Sequence, residues 1–438
     1  MSFFLHGIHV PHRKNTQDKS SVKMTGIKSV TIPMTMHIGA PCTPVVKVGD
    51  TVKIGTLIGE MKGNISCPIH SSVSGKVTKV GDVLLSSGAY AHAVTIECDG
   101  EDAVCESVKA PTVTNKEELI DAIRNSGVVG LGGAGFPTHV KFNVDASIIE
   151  ELIINGAECE PYITSDSLTM TERVDDFEYA LSVIQKHLSI NKIIIGIEAN
   201  KKNAISSMKA LSERMEGVQV KVLPEIYPQG GEKVLIYHTT KKVLATGKLP
   251  IDVGCIVCNC TTIASIGSYL KTGMPLVEKC VTVDGGSVNN PMNVIVPIGT
   301  SLEDVFAFCG GFKEEPKKVL YGGPMMGITV PNLSVPVIKN TNAIIALTEK
   351  EAWLPKTTAC IRCGNCTNAC PFGLAPAEIL LAYKKKDTDA LEKLSVDTCM
   401  LCGCCSFSCP ANRPLVQTNS LSKQLLREKK MKEAAKNG

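Results

Sequence analysis

The sequence lacks a hydrophobic run long enough to cross a membrane. An uncharged stretch at residues 253–270 contains one Asn, four Ser or Thr residues and three Cys. That stretch is too polar for a hydrocarbon span, which needs roughly 18 or more predominantly apolar residues. Any membrane role is therefore expected to depend on a partner.

Other features are also missing. Lys and Arg number 46 against 43 Asp and Glu, so the chain has no basic surplus of the kind that binds nucleic acid. The opening residues MSFFLHGIHVPHRK contain only a short apolar stretch and no Ala-x-Ala site, so no secretory signal is expected. We expect a protein of the reducing cytoplasm, whose 438 residues form about three or four domains.

Cysteine, in contrast, is abundant, with 19 residues. CIRCGNCTNACP begins at Cys360 and CMLCGCCSFSCP at Cys399, and both read Cys-x2-Cys-x2-Cys-x3-Cys-Pro. A tight loop of this spacing supplies three thiolates of a [4Fe–4S] cluster, and the fourth comes from elsewhere. Structural zinc sites pair short Cys hairpins and do not need this repeated run. The blocks therefore predict iron–sulfur clusters, with a helix–turn–helix between them.

The repeated motif resembles that of bacterial two-cluster ferredoxins, in which the last Cys of each motif binds the other cluster. Two crossed ligand sets are implied: Cys360, Cys363, Cys366 and Cys409 for one cluster, and Cys399, Cys402, Cys405 and Cys370 for the other. Cys404 falls outside this register and is not expected to be a ligand. Cys255, Cys258 and Cys260 lack a fourth ligand, so no further metal site is expected there.

Upstream, the hydrophobic pattern changes along the chain. Short Val-, Ile- and Thr-rich strands with Gly-Asp turns, roughly residues 30–105, predict a small β-sandwich that resembles lipoyl domains. From about residue 115, amphipathic helices alternate with buried strands, which predicts a largely parallel α/β sheet. Residues 278–312 return to short strands plus one helix and resemble a β-grasp module of the soluble-ligand-binding (SLBB) type.

A glycine loop, GVVGLGGAGFPT, begins at Gly127. Consecutive glycines let backbone N–H groups approach a ligand closely, but the loop is neither a P-loop nor a G-x-G-x-x-G fingerprint. INGAECEP, YPQGGEK and VCNCTTIAS follow it at Ile154, Tyr227 and Val257. In this order the four stretches resemble the flavin- and NADH-binding subunit of respiratory complex I over residues 115–270. Ala157 and Gly231 depart from that family, which has Asp and Glu there.

This resemblance implies non-covalently bound FMN and a site for NAD(H). For FMN it implies main-chain contacts at Gly130, Gly132 and Gly133, the phosphate at Lys141 and Asn259, and the ribityl or isoalloxazine edge at Asn155 and Glu158. For NADH it implies stacking on Phe136 and hydrogen bonds from Glu160 and Glu232. Ala134, Gly135 and Gly230 complete the cofactor-binding set, and no residue is assigned as catalytic. Flavin exchanges hydride for single electrons, which connects NADH to the clusters.

The order of modules resembles the C subunit (RnfC) of the Rnf complex, as do GIHVPHRK near the start and YGGPMMG at Tyr321. The resemblance implies a peripheral subunit on the cytoplasmic side of the membrane, within a ferredoxin:NAD+ oxidoreductase that translocates Na+ or H+. Implied partners are the membrane subunits of that complex, NAD(H), and ferredoxin directly or through another subunit. Nucleic acid is not an expected partner.

Two alternatives remain open from the sequence. One is a flavin and iron–sulfur protein of the cobalamin-reductase type, in which we expect the sandwich-like module late in the chain. The other is a non-enzymatic electron relay without flavin. The basic C-terminal residues could form a solvated final helix or a docking segment for a partner or an anionic lipid surface.

The fold expected is multidomain, α/β and β. Its predicted boundaries are an N-terminal segment 1–29, a lipoyl-like barrel-sandwich hybrid 30–110, a complex-I-like FMN/NADH α/β domain 111–275, a β-grasp SLBB module 276–330, a connector 331–356, a largely α-helical two-cluster ferredoxin-like domain 357–415 and a basic tail 416–438.

Overall fold

A computed structural model describes residues 5–437, so the first four residues of the predicted N-terminal segment and the last residue of the predicted tail lie outside the description. Across the described residues, no helix combines the length and the apolar character that a membrane span requires.

Short strands of the N-terminal region build the barrel-sandwich. The strands up to residue 98 are β1 (Ser21–Lys23), β2 (Ser29–Pro33), β3 (Thr43–Pro44), β4 (Thr51–Val52), β5 (Leu57–Glu60), β6 (Ile69–His70), β7 (Gly75–Leu84) and β8 (Tyr90–Cys98). Strands β2 to β8 form two small sheets, ordered β2-β8-β7-β4 and β3-β5-β6. Alternation along the paired strands β2 and β8 buries Val30, Ile32, Val94 and Ile96 on one face of their sheet.

A parallel sheet of four strands forms the next module. Its strands are β9 (Glu151–Gly156), β10 (Ile193–Glu198), β11 (Val218–Leu223) and β12 (Cys255–Asn259), in the order β11-β10-β9-β12. The helices of this module are α1 (Lys116–Asn125), α2 (Thr138–Phe142), α3 (Ser165–Glu172), α4 (Val174–Leu188), α5 (Lys202–Ser212), α6 (Glu232–Thr240) and α7 (Cys260–Thr272).

The strand order of this sheet reverses beside β9. The chain moves from β9 to β10 and β11 on one side and then returns to place β12 on the other. Open α/β sheets bind their ligands at such a switch point, outside the carboxyl ends of the strands. The ends of β9 and β12 are therefore the first place to look for a site.

The β-grasp region belongs to a larger, six-stranded sheet. Its own elements are β13 (Glu278–Asp284), β14 (Met292–Pro297), α8 (Leu302–Phe308), β15 (Lys318–Tyr321), β16 (Ile328–Thr329) and β17 (Ala343–Leu347), and the sheet order is β1-β14-β13-β17-β15-β16. Strand β17 comes from the stretch predicted as a connector, and β1 comes from the predicted N-terminal segment. Both join through pairings distant in sequence, which a local pattern does not reveal.

The C-terminal module is helical. It follows α9 (Glu349–Ala352) and contains α10 (Asn365–Asn368), α11 (Pro376–Lys384), α12 (Thr388–Lys393), α13 (Cys404–Phe407) and α14 (Leu415–Asn437). Helices α11 and α12 are the predicted helix–turn–helix, with Pro376 at the first position of α11, where proline costs no hydrogen bond. Short 3-10 turns occur at Ala146–Ile148, Pro250–Val253 and Val396–Thr398.

Most of the predicted basic tail is helix α14, which packs on α11 and α12. Its Leu415 and Leu426 are buried. On its polar side, Lys429 lies 2.7 Å from Asp389 and Lys430 lies 2.8 Å from Asp397. The helix is thus a structural part of the cysteine-rich module.

The N-terminal segment crosses the carboxyl edge of the parallel sheet. Ile8 and Tyr227 exchange two backbone hydrogen bonds of 2.9 Å, and the N–H of Tyr162 donates to the carbonyl of His12 at 2.9 Å. Thr16 and Thr164, both buried, share a hydroxyl hydrogen bond of 2.5 Å. The segment therefore fastens the loops that follow β9 and β11.

Candidate functional site

Two predicted ligand residues meet at the switch point. Asn155 lies at the end of β9, Asn259 ends β12, and the strand register places them side by side. The Asn155 side chain donates to the carbonyl of Gly230 at 2.9 Å and accepts from the N–H of Ala157 at 3.1 Å. The Asn259 side chain caps α7, because its Oδ1 accepts from the N–H of Thr261 at 2.9 Å. Both amides shape the edge on which a ligand would lie.

The glycine loop, residues 130–135, lies against this edge. The N–H of Gly130 donates to the carbonyl of Phe136 at 2.8 Å, and the N–H of Leu131 donates to Thr262 Oγ1 at 3.0 Å. A Cβ at Gly132 would lie 2.4 Å from Asn259 Nδ2, whereas one at Gly133 would meet no atom within 4 Å. The loop therefore presents exposed main chain from Gly132 to Ala134.

Glu158 is buried beside the same edge. Its Oε1 accepts from the N–H of Asp166 at 2.7 Å, but its Oε2 has no partner. Burial raises the pKa of this carboxyl, and the ammonium of Lys14 opposes that shift. A buried oxygen without a partner is costly, and a donor on a bound ligand would satisfy it.

The residues at the edge fit a flavin mononucleotide. The glycine loop leaves space where side chains would block a planar ring, and Glu158 offers an unused acceptor. Helix α7 begins beside the loop, and a helix N-terminus favours phosphate. These features are compatible with the predicted contacts, which stay predictions at the level of single residues.

The other predicted cofactor residues gather around β12. Lys141 donates from Nζ to the carbonyl of Val257 at 2.7 Å. Burial raises the pKa of Cys258 to about 11, with Lys141 lowering it and Glu232 raising it, so both charges lie near this strand. Glu232 opens α6 and is exposed, and Phe136 is half-buried. Positions far apart in the sequence thus lie near the ends of β9 and β12, and we call this region the crevice.

Glu160, predicted to bind NADH, holds a loop of the protein. Its Oε2 accepts from the N–H of Met325 at 3.0 Å and its Oε1 from the N–H of Met326 at 2.8 Å. These residues belong to YGGPMMG. A dinucleotide hydroxyl would have to share the carboxylate with these two donors.

Glu160 also gives a pH prediction. Burial raises its pKa to about 7, against the two N–H donors and Lys14, which lower it. A carboxyl whose pKa is raised on folding binds more protons in the folded than in the unfolded chain between about pH 4.5 and 7. Its contribution to stability is therefore present at low pH and is lost as the pH rises through 7. Between about pH 5.5 and 8, we expect the free energy of unfolding to fall for this reason by an amount on the order of 2 kcal/mol.

The measurement compares thermal unfolding of the wild type and Glu160→Gln at pH 5.5 and pH 8.0. The wild type should lose stability relative to the variant at the higher pH. Glu314→Gln, which changes an exposed carboxylate, serves as the control and should follow the wild type. An equal pH response of wild type and Glu160→Gln would contradict the prediction.

Packing against neighbouring atoms explains the two glycines of the YPQGGEK stretch. A Cβ at Gly230 would lie 2.6 Å from the carbonyl oxygen of Ala157, and one at Gly231 would lie 2.3 Å from Met400 Cε. A side chain at position 231, where the complex-I family has Glu, would therefore have to displace the flexible end of Met400 of the cysteine-rich module.

The two cysteine blocks fold as copies of each other. Arg362 and Leu401 have positive φ of 56° and 59°, and Gly364 and Gly403 have 79° and 83°. Each glycine precedes a four-residue helix, α10 or α13. In both loops, a residue with left-handed backbone conformation lies between the first and second cysteines, and a glycine follows the second cysteine. The two loops therefore follow the same path.

Thiols of different blocks lie close together. Burial raises the pKa of Cys370, and Cys402 and Cys399 raise it further. Burial also raises the pKa of Cys405, and the nearby thiols of Cys399, Cys402 and Cys370 raise it further. Cys366 and Cys409 pack in one apolar cluster with Leu380 and Leu415, and this cluster also contains Cys405 of the other predicted set. Four thiols without other donors suit a [4Fe–4S] cluster, so the arrangement is compatible with the crossed sets, which stay a prediction.

The set that contains Cys402 lies against the parallel-sheet module. Tyr227 Oη donates to the carbonyl of Cys402 at 2.7 Å, and Cys404 Sγ lies 3.8 Å from the carbonyl of Tyr227. The carbonyl of Met325 lies 3.0 Å from a Cβ built at Gly403. Cys360 and Cys363, in contrast, are exposed. The two sets therefore differ in their surroundings although their loops match.

Several contributors to the site were not predicted. Lys14 donates from Nζ to the carbonyls of Glu158 at 3.0 Å and Glu160 at 2.9 Å, and burial lowers its pKa to about 8. Met325 and Tyr227 connect the parallel-sheet module with the cysteine-rich module. GIHVPHRK and YGGPMMG carried the only sequence signal for Lys14 and Met325, and that signal indicated a family without indicating a role.

Cys255, Cys258 and Cys260 are buried. Cys258 and Cys260 take part in the large apolar core. Within residues 5–437, no three His, Cys, Asp or Glu side chains form a site for a single metal ion.

Family models match three regions of the chain. Residues 2–101 match the RnfC barrel sandwich hybrid domain, residues 123–268 the Nuo51 FMN-binding domain, and residues 280–329 the SLBB domain. The predicted combination of barrel-sandwich, flavin and β-grasp modules is confirmed.

Curated relatives match over most of the chain, and they include the C subunits of three oxidoreductase complexes. One is 41% identical and covers 87% of this chain and 84% of its own length. It is the C subunit of the proton-translocating ferredoxin:NAD(+) oxidoreductase complex of Clostridium ljungdahlii. The C subunit of the Na(+)-translocating ferredoxin:NAD(+) oxidoreductase complex of Acetobacterium woodii is also 41% identical, over 86% of each chain. That of the ion-translocating oxidoreductase complex of Rhodobacter capsulatus is 37% identical over 97% of this chain and 83% of its own.

Among solved structures, chains of an NAD+-reducing [NiFe]-hydrogenase share the fold. The air-oxidized state aligns with a TM-score of 0.52 at 16% identity, covering 73% of this chain and 64% of that one. The H2-reduced state aligns with a TM-score of 0.50 at 17% identity, covering 72% and 63%.

Proposed function

The chain belongs to the family of C subunits of ion-translocating ferredoxin:NAD(+) oxidoreductase complexes, and on that premise we propose that it is the NAD-binding electron-transfer subunit of such an Rnf complex. It exchanges electrons between NAD(H) and the other subunits, in a complex that couples this flow to ion translocation. The identity of 41% over 87% of the chain carries the proposal, and a crevice at the switch point of a matched FMN-binding domain supports it.

FMN would lie in the crevice, where it supplies the exchange between hydride and single electrons. Residues 130–135 would give it a surface of main chain, and Lys141 and Asn259 would neutralise and orient its phosphate end. Asn155 and Glu158 would hydrogen-bond its polar edge. The partnerless Oε2 of Glu158 supports this role, because it needs a donor that the described chain does not provide.

NAD(H) would bind over the same crevice. Phe136 would stack on an aromatic ring of the dinucleotide, and Glu232 and Glu160 would accept hydrogen bonds from ribose hydroxyls. Gly230 would offer its main chain to the ligand, and the Ala157 carbonyl beside its Cβ position requires a glycine there. Residues of the chain thereby orient the dinucleotide and exclude water from it.

Two [4Fe–4S] clusters would be held by the crossed thiol sets, with Cys360, Cys363, Cys366 and Cys409 in one and Cys370, Cys399, Cys402 and Cys405 in the other. Loops that match in conformation and the closeness of Cys370 to Cys399 and Cys402 support this assignment. The clusters would supply one-electron carriers.

The subunit would sit on the cytoplasmic side of the membrane, held there by its partner subunits. NAD(H) is a cytoplasmic substrate, and the subunit needs no span of its own for this role. Ferredoxin would exchange electrons with it directly or through another subunit. A cobalamin-reductase function has less support, because the barrel-sandwich comes first in this chain.

The test uses the full chain, reconstituted anaerobically with FMN, iron and sulfide. It should oxidise NADH with ferricyanide as acceptor and no membrane subunit present, because the crevice alone accepts the dinucleotide. A tagged chain expressed in its native host should also co-purify with membrane subunits. A preparation with full FMN content that leaves NADH unoxidised would refute the NADH site, and purification without those subunits would refute the membership in a membrane complex.

A single substitution tests the dinucleotide contact. Glu232→Gln should raise the KM for NADH and lower kcat/KM about five- to thirtyfold, because it weakens a hydrogen bond to a ribose hydroxyl. FMN content should stay at the wild-type level. Steady-state kinetics with ferricyanide provide the measurement.

The matched control for this substitution is Glu117→Gln. Glu117 is also an exposed acid in the first turn of a helix, α1, away from the crevice. It should leave the KM for NADH unchanged. If both variants behaved alike, Glu232 would have no specific contact with the dinucleotide.

A further inference from the structure

A cavity of about 820 Å³ lies where three modules meet, away from the flavin crevice. Its walls come from strand β1 and the residues after it, the barrel-sandwich, helices α3, α4 and α7, and strands β13 and β14. None of the residues assigned to FMN, NAD(H) or the clusters lines it. Its volume falls in the range of small-molecule sites in proteins, roughly 300–1,000 Å³.

Most charged groups in the wall of this cavity are already paired. Arg173 binds Asp176 through Nε and Nη2, both at 3.0 Å. Lys23 lies 3.3 Å from Glu278. The carboxylate of Glu172 accepts from Ser21, from its N–H at 3.0 Å and its hydroxyl at 2.6 Å. Ser21 is neutral, so Glu172 keeps its negative charge, as does Asp102, and both of these acids are exposed to solvent.

Lys279 is the cation of this wall that has no such partner. It lies on β13, is 2% exposed, and its Nζ has no hydrogen-bond partner. The acid with the largest influence on it is Asp166, whose two oxygens already accept from Asn259 at 2.6 Å and from Thr261 at 2.7 Å. A buried ammonium without a partner is expensive to maintain. A small anion that enters the cavity would remove that cost.

The remainder of the wall suits a compact metabolite. Apolar side chains such as Ile54, Leu168 and Leu276 alternate with hydroxyl residues such as Thr169 and Ser265. A phosphate or carboxylate group has the charge and the acceptors that Lys279 needs, and the rest of a small molecule could lie on the apolar part of the wall.

We propose that this cavity is a binding site for a small oxyanion-bearing ligand, with Lys279 as its receptor. The site belongs to the junction between the barrel-sandwich, the parallel sheet and the β-grasp sheet. A ligand there binds only the assembled arrangement of the three modules, and it therefore stabilises that arrangement by mass action.

The experiment titrates inorganic phosphate, and acetate in a second arm, into the full chain with FMN and clusters in place, by calorimetry at constant ionic strength. We expect saturable binding in the wild type. In Lys279→Met, binding should be about ten- to hundredfold weaker, the scale for a lost charged hydrogen bond. Phosphate binding alone would identify a phosphate ligand, and acetate binding alone a carboxylate ligand.

Lys313→Met is the matched control, because Lys313 is a lysine of the same module that is accessible to solvent and does not line the cavity. It should bind as the wild type does. Lys279→Met should fold and retain flavin and iron, since it removes a buried charge without a partner. Equal binding by all three proteins, or no saturable binding of either anion, would overturn the proposal.

Discussion

Cys370→Ala should remove about four of about eight iron atoms per chain and leave the set that contains Cys360 loaded. The reason is the crossed arrangement: Cys370 belongs to the first block in sequence, but its thiol lies near Cys399 and Cys402 of the second. The measurement is iron and sulfide content after anaerobic reconstitution, together with electron paramagnetic resonance of the remaining cluster. This loss of a whole cluster is among the largest effects we expect.

A comparison of variants separates the ligands from a neighbouring thiol. Cys404→Ala should keep all the iron, although Cys404 is buried beside the Tyr227 carbonyl. Cys409→Ala should remove the other cluster, the one that Cys366 helps to hold. If Cys370→Ala instead emptied the set that contains Cys360, the ligands would belong to uncrossed motifs.

Gly133→Val should abolish FMN binding while iron content and folding stay intact. A Cβ at this position meets no protein atom within 4 Å, so the chain has room for the side chain. The new methyl groups would occupy the space that we assign to the flavin. Flavin released by denaturation, measured by fluorescence against protein concentration, should fall to near zero.

Two other glycines sharpen this result. Gly81→Val changes a glycine in strand β7 whose Cβ position also has space, with only Lys79 Cε nearby at 3.6 Å, and it should retain FMN. Gly132→Val would collide with Asn259, so loss of flavin in that variant would not distinguish a blocked site from a displaced asparagine. Full flavin content in Gly133→Val would remove this loop from the site.

The parts of the fold that local patterns specify were predictable. Short alternating strands indicated the barrel-sandwich, and buried strands between amphipathic helices indicated the parallel sheet. Strand β17 was missed because its residues, AIIAL, are buried on both faces and their partners β13 and β15 lie far away in sequence. Strand β1 was missed because its partner, β14, lies beyond two intervening modules in the sequence.

The candidate site was predictable where spacing carries chemistry. The cysteine runs have few other uses, whereas the glycine loop indicated a site only together with the three stretches that follow it. Of these predicted residues, Asn155, Asn259 and Gly132 lie close together in the structure, and their ligand contacts stay predictions. Lys14 and Met325 could not be found in this way. Each acts through a backbone contact with a loop, Lys14 on the Glu158 carbonyl and Met325 through its N–H to Glu160, and such contacts leave no signature in the sequence.

The unequal burial of the two thiol sets determines how this protein would age in air. Cys360 and Cys363 are exposed, whereas Cys399, Cys402 and Cys405 are buried, and oxidation of cysteine follows its exposure. Damage would therefore begin on the outward-facing thiols. In the electron path that we propose, the cluster of this exposed set would be lost first. NADH oxidation with a small dye as acceptor would then outlast electron transfer to another protein.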